Sequence, residues 1–228
     1  MAAAGTEAGT VVALCIGAPR DLGREDAAEP FDRAWTTGIF KTPVNGPVHL
    51  SSLGFEGDGQ ADLTVHGGPD KAACVYAAEH YPGWRRTLGL PSFVFGAFGE
   101  NLTIGGLHEQ QVCIGDVWSL GDAVVQVSQP RQPCWKLAMK WRRRTLTDEV
   151  VVSGHTGWYF RVQREGLVAP GATLALIERR HPEWTVAAAN RVMHRREGDT
   201  AALARLAALS ASWRHTLERR LHVRSEQD

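Results

Sequence analysis

An unbroken apolar run, Thr10-Val11-Val12-Ala13-Leu14-Cys15-Ile16, is ended by Gly17 and predicts a first strand. Similar short runs recur at 35–41, at Val48-His49-Leu50, and at 98–103, 112–114, 117–120, 123–127, 157–164 and 173–177. Each is rich in β-branched or aromatic residues and bounded by turn residues, so each predicts a strand. Turns fall at Asn45-Gly46-Pro47, at 54–60 and at 167–171, and the Pro-, Gly- and charge-rich stretch 18–32 reads as a surface loop. Helical patterning before residue 180 is confined to 77–88 and 147–153, the second stopped by Gly154. Many short strands and few helices predict a mainly β, closed architecture with peripheral helices, not a doubly wound sheet.

The pattern changes after His181-Pro182, where three Ala/Leu/Arg-rich segments follow near 185–195, 200–209 and 211–223. Thr185, Asp199 and Ser210 stand at their N-cap positions. Trp213, Leu217 and Leu221 form one apolar stripe at i, i+4, i+8, which has to bury against the other two helices. The expected organisation is a β domain over 10–180 and a three-helix module over 181–226.

Charge and cysteine usage narrow the chemistry. Lys+Arg 25 balances Asp+Glu 25 in the 228 residues, which argues against a general binder of nucleic-acid polymers. Cys15, Cys74, Cys113 and Cys134 form no C-x-x-C pair, so no zinc ribbon or iron–sulfur cluster is expected. The first residues lack a basic n-region, and no apolar run reaches the ~18 residues of a membrane span. A soluble cytoplasmic protein with no membrane partner is the expectation. No G-x-G-x-x-G follows a strand and no P-loop occurs, so a nucleotide fold has no support.

Two stretches carry candidate chemistry. In Ser128-Gln129-Pro130-Arg131-Gln132-Pro133-Cys134-Trp135-Lys136, two prolines end the preceding strand and stiffen a turn that aims one thiol. Cations on either side, Arg131 and Lys136, favour a thiolate, the form that attacks electrophiles and binds soft metals. The bland alternative is a buried, inert cysteine. In Val65-His66-Gly67-Gly68-Pro69-Asp70-Lys71, the glycines expose amides to an anion or simply make a tight turn. His66 alone is more often a hydrogen-bonded structural imidazole than a ligand.

These two blocks, with Lys41-Thr42, Gly54-x-x-Gly57-Asp58, Phe98-Gly99-Glu100-Asn101-Leu102 and Gly115-Asp116, resemble the motifs of MOSC-domain proteins. The YiiM-like group, with its C-terminal three-helix appendage, is the nearer match, over roughly residues 10–225. The resemblance implies a β-barrel, a molybdenum–molybdopterin cofactor, and reduction of N-hydroxylated compounds such as amidoximes and hydroxylaminopurine bases. It places the metal-binding, catalytic cysteine on Cys134. Cofactor contacts fall on Lys41, Thr42, His66, Lys71, Asn101 and Arg131. A soft dithiolene-bound metal accepts a thiolate, and a phosphate calls for cations or backbone amides, so residue chemistry and resemblance agree.

No flavin or cluster motif is present, so electrons are expected from an external flavoprotein or iron–sulfur reductase. Arg191, Arg195, Arg196, Arg214, Arg219, Arg220 and Arg224 make the module basic, and an acidic donor docking there is one expectation; a solvated cap is the other. Competing functions are a Cys134 persulfide carrier, a non-catalytic store or delivery protein for the cofactor, and a hydrolase using Cys134 and His66.

Overall fold

A computed structural model describes residues 7–225. Seven strands form the barrel: β1 (Ala8–Ile16), β2 (Ala73–Ala77), β3 (Leu102–Gly105), β4 (Val117–Leu120), β5 (Ala123–Pro130), β6 (Trp158–Arg164) and β7 (Thr173–Glu178). They pair in the order β7-β4-β5-β6-β2-β3-β1, and β1 returns to β7 to close the ring. Closure removes the exposed edges that an open sheet would present. All pairs are antiparallel except β2–β3. Alternation drives the arrangement: Ala123, Val125 and Val127 of β5 point inward, while Val124 and Gln126 between them are only half-buried. Leu14, Val75, Leu102, Trp118, Trp158 and Phe160 fill the interior with no accessible surface. Each such side chain contributes about 1.5–3 kcal/mol by leaving water.

Several expectations need correction. The stretch 18–32 is not all loop: Arg20–Leu22 pairs with Trp35–Thr37, and Pro30–Asp32 is a turn of 3₁₀ helix. The strand expected over 35–41 therefore ends at Thr37, and Thr42–Pro43 pairs separately with the end of β1. Residues 112–114 form no strand; Cys113 makes only an isolated bridge to Thr185. β2 went unpredicted because Ala-Cys-Val-Tyr-Ala is buried along its whole length and shows no period of two. The helix expected over 77–88 begins as a 3₁₀ turn, and its α-helical part, α1, spans Tyr81–Leu88.

The strand β5 runs three residues further than its apolar pattern, to Pro130, with a register shift between Val127 and Gln129. Pro130 ends the ladder, as its missing N–H requires. An unpredicted helix, α2 (Trp135–Trp141), then begins directly after Cys134, followed by α3 (Leu146–Ser153). Leu137, Leu146 and Val150 from these helices join Tyr76, Tyr81, Trp84, Phe93 and Phe98 in a second apolar cluster. This aromatic block supports the loops 37–41 and 96–100 from outside the barrel. Lys140, on α2, ties the two together by donating to Ile39 O (3.1 Å) and Gly96 O (2.9 Å).

The C-terminal module has three helical segments, α4 (Val186–Asn190), α5 (Thr200–Ala204) and α6 (Ala211–Ser225). α4 continues as a π turn over Arg191–Arg195, and α5 is shorter than the sequence pattern suggested. The expected caps are present: Thr185 accepts from Ala188 N (3.0 Å), Asp199 from Ala202 N (2.9 Å) and Ser210 from Trp213 N (3.3 Å). Trp213 and Leu217 are buried and share one continuous core with the barrel, while Leu221 is half-buried. Three of the module's arginines are engaged internally: Arg195 with Val152 O, Arg214 with the 206–209 carbonyls, and Arg220 with Met193 O. Arg191, Arg196 and Arg219 are exposed, and the Arg224 side chain lies outside the described residues.

Candidate functional site

β5 delivers the chain to Arg131, whose amide donates to Gly157 O (3.0 Å) at the start of β6. Gln132 and Pro133 then carry it to Cys134, which sits in extended conformation as the N-cap residue of α2. Its carbonyl accepts from Leu137 N (3.0 Å) and Thr147 Oγ1 (3.3 Å), so helices α2 and α3 both fix its backbone. Cys134 is half-buried and lines a cleft, open to solvent, of about 640 Å³.

The cleft collects six of the seven expected site residues: Lys41, His66, Lys71, Asn101, Arg131 and Cys134. Thr42 is the exception. It is exposed in the two-residue strand beside β1, with its hydroxyl 3.5 Å from Ile16 O.

The six differ in what they can offer a ligand. Lys41 is ion-paired to Asp58, and both side chains are almost wholly buried. Asp58 also accepts from Gly17 N (2.9 Å) and Asn101 Nδ2 (2.9 Å). Asn101 is spent on the framework as well, since its Oδ1 accepts from Cys74 N (3.1 Å) and its Nδ2 also reaches Cys15 O (3.3 Å). These two residues hold the cleft wall together.

Arg131 is different. It is 5% exposed, its Nη2 donates to Phe98 O (2.8 Å), and its Nη1 has no partner among the described residues. A buried guanidinium N–H without an acceptor is costly, and a bound anion would satisfy it. Phe98 O is itself placed by Glu100, whose carboxylate accepts from Gly96 N (2.8 Å), Phe98 N (3.1 Å) and Thr103 Oγ1 (2.9 Å).

The opposite wall is the His66–Lys71 turn. Gly67 and Gly68 both adopt positive φ (76° and 78°), and a Cβ at Gly67 would lie 2.7 Å from Gln60 Oε1. The positive φ favours glycine at both positions; the neighbour at 67 is the movable end of a side chain, and 68 faces open space. Lys71 Nζ donates to Val65 O (2.7 Å), and burial lowers its pKa. Burial, with Lys136, Lys71 and Arg131 nearby, pushes the His66 imidazole down to about 4, so it is neutral at physiological pH. Cations thus outweigh local anions around one neutral imidazole and the Cys134 thiol.

Sequence reasoning left Cys74, Tyr159, Gln60 and Gln132 out of the cleft they line, and used Lys136 only as a flanking charge. Cys74 and Tyr159 are brought in by β2 and β6, where they stand as register partners. Burial pushes the Cys74 thiol up to about 11 and raises the Tyr159 phenol as well, so both stay protonated. Cys15 and Cys113 are likewise buried and pushed up to about 12. Cys134 is the one cysteine that is not buried.

Comparison with known proteins places this geometry. The MOSC domain family matches residues 62–175, and the YiiM-like 3-alpha helix domain matches residues 184–224. The chain is 51% identical over 197 residues to the Bacillus subtilis protein YflK, covering 85% of this chain and 89% of that one. It belongs to the MOSC family, in the YiiM-like group. The crystal structure of YiiM from Geobacillus stearothermophilus superposes with a TM-score of 0.76 at 41% identity, covering 93% of this chain and 99% of the other. A Gibberella moniliformis protein described as "Reductase" is 37% identical over 164 residues, which are 71% of this chain and 29% of that protein. No helix among the described residues is long and apolar enough to cross a membrane.

Proposed function

We propose that the cleft holds a molybdenum–molybdopterin cofactor and that the protein reduces N-hydroxylated compounds, amidoximes and hydroxylaminopurine bases among them. One observation carries the reading: the half-buried thiol of Cys134 shares a cleft with a buried arginine that lacks an acceptor. The donor set fits the cofactor at both ends. Cys134 offers a soft ligand for the metal. Arg131, Lys71, Lys136 and the Gly67-Gly68 amides offer donors for the pterin phosphate. Lys41 and Asn101 serve that cradle indirectly, since Asp58 and the β1 and β2 backbones already occupy them.

When bound, the cofactor supplies a two-electron centre able to take oxygen from an N–OH group. The chain's own residues bind, orient and insulate. Arg131 fixes an anion in the cleft, and neutral His66, Tyr159 and Cys74 add no competing charge. The overall reaction, R–NHOH + 2 e⁻ + 2 H⁺ → R–NH₂ + H₂O, draws its electrons from an external flavoprotein or iron–sulfur donor. Kinship with a protein described as a reductase supports the oxidoreductase class.

The test uses protein made in a host competent for molybdopterin synthesis. With a low-potential chemical donor it should convert a hydroxylaminopurine or an amidoxime to the amine or amidine. One added sulfur on Cys134 by mass spectrometry, with no conversion, would assign a persulfide carrier instead. Bound cofactor without either would assign a store or delivery protein.

A further inference from the structure

Beside the apolar core it shares with the barrel, the three-helix module makes polar contacts, and two acidic residues that take part in them lie near the cleft. Glu109 is 3% exposed. Its carbonyl accepts from Ala187 N of α4 (2.8 Å), and its carboxylate faces the other way. One oxygen accepts from Gly157 N (2.7 Å); the other meets His80 Nε2 (2.7 Å). Gly157 in turn presents its carbonyl to Arg131 N (3.0 Å). A second tie reaches the same point, since Asn190 of α4 donates to Thr156 Oγ1 (2.8 Å), whose hydroxyl donates to Gly157 O (3.0 Å).

Asp70 makes a parallel arrangement beside Lys71. Its Oδ2 accepts from Ala211 N at the first turn of α6 (3.0 Å), and its Oδ1 accepts from Arg161 Nη2 (2.7 Å). Its carbonyl accepts from Ser128 Oγ (2.5 Å), and Ser128 O accepts from Ser210 N (2.9 Å). One acidic residue thus stands between the module and each cationic wall, Glu109 through its carbonyl and carboxylate and Asp70 through its carboxylate.

We infer that Glu109 and Asp70 are positioning residues through which the three-helix module sets the placement of Arg131 and Lys71 in the cleft. Gly157 is a stiff link for this purpose. It holds φ 74°, and an added Cβ would lie 2.1 Å from Val75 O, so the backbone there has little freedom. Glu109 is also held ionised: burial raises its pKa, but the His80 bond and the Gly157 amide more than offset this and leave it below the usual range. A charged acceptor grips the Gly157 amide more strongly than a neutral one. The module then has a role that neither a solvated cap nor a donor-docking surface requires.

The inference rests on the proposed reading of the cleft as a phosphate cradle, and the experiment separates the two. Inorganic phosphate is titrated into the full chain by calorimetry, for the wild type, Glu109→Ala, Arg131→Gln and the double variant. Glu109→Ala should weaken phosphate about tenfold, the worth of one well-placed hydrogen bond. In the Arg131→Gln background it should add nothing, because the effect passes through Arg131. Glu109→Gln keeps an acceptor for Gly157 N and should retain most of the affinity. Asp70→Ala against Lys71→Gln repeats the cycle on the other wall and carries the test where Glu109→Ala does not fold. Equal losses in both backgrounds, or wild-type affinity in Glu109→Ala with a loss in Arg131→Gln, overturn the inference while leaving the cradle intact. A wild type that binds no phosphate removes the cradle, and the inference with it.

Discussion

His66 shows how the cleft sets the state of a single side chain. Its folded-state pKa, about 4, lies below the ordinary 6.5 because burial and three neighbouring cations oppose a further positive charge. Between pH 6.5 and 4 the unfolded chain takes up a proton at this position that the folded chain refuses. Stability from this group is therefore complete above 6.5 and lost as pH falls through the window. Urea unfolding across that range should show a steeper acid loss for the wild type than for His66→Gln; identical slopes would mean the imidazole is not held neutral. At this scale much of the site was legible. Cys134, Arg131, His66 and Lys71 lie within two local motifs whose prolines, glycines and charges announce an exposed donor set. That Lys41 is paired was not legible, because its partner Asp58 is seventeen residues away and only the fold brings them together. Cys74 and Tyr159 were invisible for the same reason.

At the scale of elements, Gly157 is the junction on which the site turns. It directly precedes β6, gives its carbonyl to Arg131 and its amide to Glu109, and lies against Val75 O of β2. Gly157→Ala should cost about 1–3 kcal/mol from the positive φ alone, with more from the clash. The urea midpoint should fall at unchanged m-value, and an unaltered midpoint would show that β2 and β6 can part without cost. Strands with β-branched, apolar runs bounded by turn residues, such as β1, β5 and β7, could be read from the chain. β2 could not, since a strand buried on both faces loses its period, and its alanines point equally to helix. α2 was hidden behind the prolines of the cysteine loop. Its apolar face becomes evident only once Leu137 is seen among the aromatics of the second cluster.

For the whole molecule, barrel and module share one hydrophobic core, with Trp213 and Leu217 packed into the same cluster as Trp118 and Val127. Removing the module would uncover that core, so single-residue changes along the seam are the proper way to probe it. The composition change at His181-Pro182 marked the module, but its attachment to the cleft depended on contacts between residues more than thirty positions apart, such as Asn190 with Thr156. The central claim is that this assembly exists to hold a metal cofactor at one thiol. Molybdenum content by elemental analysis tests it most directly, on protein from a molybdopterin-competent host and from a cofactor-deficient control. Wild type and Cys113→Ala from the competent host should carry the metal, whereas Cys134→Ala should fold and lose it. Full molybdenum occupancy in Cys134→Ala, or none in the wild type, would contradict the account.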